Sequence, residues 1–155
     1  SNTGSETQES VANQIEVVHA VGEIEDTADK SVDTINLTVM KSAGSNSIDL
    51  QSITVQYTSS ETDNTLTYDA STADASTFTT HELYTNGGSE TELIDSEDRV
   101  AIEISTKHLE GSGTAGEGLD GGETATIKLI DQSGAQFSYG VSVPSTFGNK
   151  EVVEV

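Results

Sequence analysis

The feature that most constrains this chain is a period of two. Ile35, Leu37 and Val39 alternate with Asn36 and Thr38; Ile53, Val55 and Tyr57 repeat the pattern, as do Val100, Ile102 and Ile104, then Ala125, Ile127 and Leu129. Successive strand side chains point to opposite faces, so each run presents one apolar and one polar face. Leu66 and Tyr68 mark a short strand, Thr77 to Tyr84 a weaker one, and Phe137, Tyr139, Val141 and Val143 a final one closed by Pro144. The breaks between runs are Gly, Ser, Asn and Asp, and Asp131 to Gly134 is a hairpin signal. About eight short strands with such breaks predict an all-β fold, an antiparallel sandwich or barrel, and not an α/β one. The 155 residues are enough for one domain with its own core.

Two stretches depart from this pattern. Ser5 and Gln8 have capping-box spacing, and Val11, Ile15 and Val18 recur at helical intervals, so residues 1–16 are expected to be the end of a helix. Residues 17–155 are expected to be the β-domain. So short a helix is not stable alone. It either docks on the domain's own sheet or is the tail of a longer segment, the reading that an opening without Met favours. Elsewhere, Thr58 to Asn64, Asp69 to Ser76 and Leu109 to Gly122 read as long exposed loops, the last with six glycines in fourteen residues.

Charge decides the class of partner. Asp and Glu number 27 against 6 Lys and Arg, a net of −21. Such a field repels phosphate and excludes nucleic acid or an anionic membrane as partner. No apolar run reaches the roughly 18 residues that span a bilayer. With no cysteine, disulfides and thiolate metal sites are absent. The carboxylates spread along the whole chain and lysine is scarce. That is the composition of a protein working in strong brine, where the Debye length falls to about 3 Å at 1 M salt. An ordinary acidic extracellular domain is the alternative.

Catalytic signals are weak. His19, His81 and His108 lie in or beside strands, without a nucleophile elbow or paired-histidine spacing. His19, in step with Ile15, Val17 and Val21, is expected at a core edge. The glycine-rich loop lacks the Lys-Ser/Thr ending of a phosphate cradle. Asp95, Glu97 and Asp98 form a dense carboxylate group, hard oxygen ligands of the kind that hold Ca²⁺ or Mg²⁺; a solvated acidic turn is the competing reading. Asn36-Leu-Thr38 is the chain's one N-glycosylation sequon, and the alternation turns Asn36 away from Ile35, Leu37 and Val39.

Five segments in order resemble the archaellins, the filament subunits of archaea. They are Thr7 to Val18, Ile48 to Tyr57, Leu93 to Val100, Gly122 to Leu129 and Val143 to Val155. The first resembles the junction where the long N-terminal archaellin helix enters the head domain. The resemblance implies an immunoglobulin-like β-sandwich head facing outwards along an extracellular filament, and no enzymatic role. It also implies that the strongly apolar assembly helix of the family is missing, so that self-assembly with other subunits would run through that helix and the isolated head would be a monomer. Val11, Ile15 and Val18 would then join helix to head. Family members are commonly N-glycosylated on the head, which favours Asn36, and no cofactor is required. The runner-up is a secreted or surface-layer adhesin with a similar sandwich, with or without calcium dependence; a secreted hydrolase comes third.

Overall fold

The computed structural model describes residues 15–28 and 30–155. Expectations resting on Ser5, Gln8 and Val11 lie outside the described residues. Nine strands form one sheet: β1 (Ile15–Glu23), β3 (Thr34–Lys41), β5 (Thr54–Ser59), β6 (Asp63–Tyr68), β7 (Thr77–Tyr84), β9 (Arg99–Ile104), β11 (Thr124–Ile130), β12 (Gln136–Ser142) and β13 (Val152–Glu154). The remaining elements are short: β2 (Ser31–Val32), β4 (Ile48–Asp49), β8 (Glu92–Leu93), β10 (Leu119–Asp120) and one helical turn, α1 (Thr106–Glu110). The large sheet runs β12-β11-β5-β6-β7-β9-β3-β1-β13, with β10-β2 and β4-β8 as separate two-stranded ladders.

The large sheet curls until its ends meet. The Ser142 amide, ending β12, donates to the Val155 carbonyl at 2.9 Å, and the Val155 amide donates to Ala20 in β1 at 3.2 Å. Both halves contribute to a single core: Val55, Tyr57, Leu66 and Ile127 from one, Ile35, Leu37, Phe78 and Ile102 from the other, all with no exposed surface. Each such side chain contributes about 1.5–3 kcal/mol when fully buried. All neighbouring pairs are antiparallel except β6 and β7, which run parallel for two residue pairs only, Thr67 with Thr77 and Tyr68 with Phe78. Tyr68 and Phe78 pack edge to face across that seam, ring centroids 5.9 Å apart.

The all-β reading and the main strands agree with the sequence pattern; several details do not. Strand β1 opens at Ile15, so Ile15 and Glu16 are extended where a helix end was expected. Pairing with β3 slips between Val17 and His19, making Val18 an extra residue. This bulge reverses the strand's parity. Ala20 is buried and His19 is exposed, so the histidine is not at a core edge. The strand of Ile53, Val55 and Tyr57 starts only at Thr54, and Ile48–Asp49 is a separate short strand, because Asp49 accepts from the Gln51 amide and the Ser52 hydroxyl, each at 2.9 Å, and bends the chain. Thr58 to Asn64 is mostly strand, a tight β5–β6 hairpin.

The glycine-rich segment is not wholly exposed either. Leu119 is buried and pairs with Val32. The reason is Asp33, fully buried, which accepts from the Ser31 hydroxyl at 2.7 Å and the amides of Gly116 and Gly118 at 3.0 and 3.1 Å. Gly118 passes so close to Val32 that a Cβ there would overlap the Val32 carbonyl. Glu110 of α1 ties the same region to the β5–β6 hairpin, accepting from Tyr57 at 2.7 Å, Ser59 at 2.6 Å and Thr62 at 3.1 Å. Burial, and then the Glu110 carboxylate, push the Tyr57 hydroxyl far above its ordinary range.

Candidate functional site

On the outer face of β1, β3, β9 and β7 the acidic coat thins and apolar side chains come to the surface. Register fixes its layout. His19, Thr38, Ala101 and His81 stand in a row across the four strands, and Val21, Asn36, Glu103 and Thr79 form the next row. Beyond the histidine row lie Val18, thrown outward by the bulge, and Arg99, Leu83 and Tyr84. Val18, Leu83 and Tyr84 are 48%, 55% and 53% exposed, three of the five large apolar side chains that are exposed among the described residues. Apart from the buried Thr79, these groups line a shallow hollow of about 670 Å³.

Among the described residues, the carboxylates that line the hollow are Glu23 and Glu103, beside the chain's one arginine and two of its three histidines. His81 Nε2 meets Glu103 Oε1 at 2.6 Å. Arg99 is held by donating to the carbonyls of Ser96 and Asp98, both at 2.9 Å. Asn36 lies two rows from the apolar end, its Nδ2 donating to Glu23 Oε2 at 2.5 Å. The alternation did turn the sequon outward, onto a partly exposed position of an inner strand.

The other candidate residues separate. Asp98 is fully buried and its carboxylate is spent on backbone: it accepts from the Asn86 amide at 2.6 Å, Ile94 at 2.9 Å and Asp95 at 3.0 Å. Burial alone would raise its pKa; these amides outweigh it and hold the carboxyl below its ordinary value. Asp95 turns to the Glu97 amide at 2.8 Å, a local Asx turn. Asp95, Glu97 and Asp98 therefore do not converge, and no group of three or more His, Asp or Glu among the described residues is placed to hold a metal ion. Ile15 is buried in the core and Val18 is exposed, so these two do not share a surface. Ser105 and His108 do meet, Oγ to Nδ1 at 2.7 Å, but Ser105 is buried at the start of α1 and closed to a substrate.

Sequence reasoning missed Leu83, Tyr84 and Arg99. The signal was present: adjacent apolar residues at 83 and 84 cannot both point inward from a regular strand. The register shift between Glu82 and Tyr84 is the structural outcome.

A closed all-β domain with a heavily acidic surface and open sheet faces has the architecture of a surface or assembly module. The comparisons narrow this class. Residues 1–141 match the archaeal-type flagellin family. Flagellin B2 of Halobacterium salinarum is 33% identical over 154 residues, covering 99% of this chain and 75% of its own length. The crystal structure of archaeal flagellin FlaB1 from Methanocaldococcus jannaschii superposes with a TM-score of 0.74 at 15% identity, covering 90% of this chain and 94% of that one. A subunit of the archaeal flagellum of Methanospirillum hungatei strain JF1 gives 0.60 at 14% identity, covering 98% and 78%. The structural likenesses establish the fold; the sequence matches establish the family. This chain belongs to the archaeal-type flagellins, structural subunits of the archaeal motility filament.

Proposed function

We propose that the described domain is the outward-facing head of the filament subunit, exposed to the extracellular medium, and that it carries no enzymatic activity. The observation behind this reading is a closed β-domain under a heavy acidic coat, a net of −21 over the chain. A filament grows by heterologous contacts that do not close, which needs a surface that repels unspecific neighbours and accepts one. In this reading assembly is driven by the apolar N-terminal helix that the resemblance to archaellins implies. In this reading the isolated domain is a monomer. The acidic coat keeps the filament soluble in brine, and Asn36 is the site at which the head carries a glycan.

Deleting the gene and restoring it on a plasmid tests the central reading. Loss of swimming and of filaments by electron microscopy, both recovered on complementation, is the expected result. Normal motile filaments in the deletion strain would refute it. For the oligomeric state, sedimentation of residues 1–155 should give a monomer, and a concentration-independent dimer would contradict it.

A further inference from the structure

We infer that Asn86 is a site of spontaneous deamidation: in the folded domain its side chain closes on the Gly87 amide, loses ammonia and reopens with water to aspartate and isoaspartate, and the product loosens the turn that holds Asp98. Asn86 is the one asparagine of the chain that is followed by glycine. Ring closure needs the next residue's backbone nitrogen to reach the asparagine Cγ, and any side chain on that residue obstructs the approach. Here the approach is clear. Asn86 and Gly87 are both exposed, Gly87 turns through φ +94°, and nothing stands within 4 Å of where a Cβ on it would lie. Among the described residues nothing accepts a hydrogen bond from the Gly87 amide, so closing the ring breaks no backbone pairing.

Other candidate positions are held. Asn36 and Asn64 lie in β3 and β6, followed by Leu37 and Thr65, and their Nδ2 atoms donate to Glu23 and to the Ala75 carbonyl. Asn46 is followed by Ser47. Asp120-Gly121 could close the same ring with loss of water, but Asp120 is paired with Ser31 and a Cβ on Gly121 would stand 2.7 Å from the Ser145 carbonyl. The Asn86 side chain has only its Nδ2 contact to Asp95 Oδ2, at 3.5 Å.

The chemistry balances with water alone. The Gly87 nitrogen gives its proton to solvent base and bonds to Asn86 Cγ; the Cγ–Nδ2 bond breaks, and the amino group takes a proton from water and leaves as ammonia. Water then cleaves the cyclic imide, its hydroxyl going to one of the two carbonyl carbons and its proton to the nitrogen. Cleavage at Cγ gives aspartate. Cleavage at the main-chain carbonyl gives isoaspartate, whose backbone runs through the former side chain and is one atom longer.

The surroundings do not tolerate that extra atom. The Asn86 amide donates to Asp98 Oδ1 at 2.6 Å, and two residues on Gly88 passes so close to the Asp98 carboxylate that a Cβ there would overlap it. The Ser89 amide is fixed to the Glu92 carbonyl at 3.0 Å. A longer link between Asn86 and Gly88 therefore strains the Asp98 contacts. Either product also sets a carboxylate against Asp95, replacing a weak hydrogen bond with like-charge repulsion.

The test keeps the chain of residues 1–155 folded at high salt and mildly alkaline pH for increasing times. Cleavage after glutamate releases residues 83–90, with Asn86 as their one asparagine, and peptide mass with chromatographic separation distinguishes amide, aspartate and isoaspartate. Conversion at Asn86 is expected to run at least about tenfold faster than at Asn36, Asn46 or Asn64, with both products present. A rate no greater than at those positions overturns the inference, as does conversion only in urea, which would show that the folded turn protects Asn86. The converted fraction, separated by anion exchange, should melt below fresh protein, while Asn86→Gln aged in parallel, its longer side chain ill-suited to the ring, keeps its Tm. Equal Tm for converted and fresh protein overturns the loosening of the Asp98 turn.

Discussion

Removing the Asp98 carboxylate should cost the domain about 3 kcal/mol, far more than removing its neighbours. Hydrogen bonds to a charged group contribute about 1.5–3 kcal/mol each, so the three amides it accepts from set a gross value near 4.5 kcal/mol at the low end. Ile94 and Asn86 lie at the surface, and their amides recover water once the carboxylate is gone, which brings Asp98→Ala to about 3 kcal/mol. For a domain of this size that is a fall in Tm of about 6–12 °C. Asp95→Ala removes two exposed contacts, from the Glu97 amide and the long one from Asn86 Nδ2, and should cost no more than about 0.5 kcal/mol. The assay is urea and thermal unfolding at fixed high salt. A loss below about 1 kcal/mol for Asp98→Ala would refute the accounting.

The same group gives a signed pH dependence. Its folded pKa lies below the unfolded value of about 3.9, so its contribution is fully present above that pH and is lost as pH falls through the folded value. Acid also relieves the repulsion of the coat, so the informative quantity is wild type minus Asp98→Asn. That difference should be flat above about pH 5 and shrink below about pH 4. A difference that widens on acidification would show that the carboxylate is not stabilised by these amides.

Three further outcomes are expected. Gly118→Ala should destabilise by about 3 kcal/mol, since its Cβ meets the Val32 backbone and the Asp33 contacts must give; a variant unfolding with wild type would show that the loop relaxes freely. Tm should rise steadily from dilute buffer to molar NaCl as the charge of −21 is screened, and a flat profile would contradict the role given to the coat. Calcium added at constant ionic strength should leave the wild-type Tm unchanged, because Asp98 cannot both ligate an ion and hold its three amides; an upward shift abolished by Asp95→Ala would restore the carboxylate cluster as a cation site.

The strands were legible where one face is wholly buried. Ile35, Leu37 and Val39, or Ala125, Ile127 and Leu129, alternate because the core admits no other phase. His19 was misplaced because a bulge inserts one residue, and nothing local in Val17-Val18-His19 distinguishes an extra residue from the next step of the strand. The two-residue ladders were invisible for a related reason: Val32 with Leu119, and Ile48 with Leu93, are long-range pairings that no local period encodes. The carboxylate cluster looked like a ligand set because sequence gives proximity without direction. Whether Asp98 points at solvent or at three amides depends on a turn closed from Asn86, twelve positions earlier.

Strand β1 also has a consequence for how the molecule is made. Its partners are β3 and β13, so Val21 and Gly22 pair with Glu154 and Val153, more than 130 positions later. A nascent chain therefore cannot complete its sheet until residue 155 has cleared the ribosome. Long-range closure of this kind is slow. An open, strongly charged polypeptide therefore persists until synthesis has passed β13. Completion waits for β13, whose arrival on β1 shuts the cylinder.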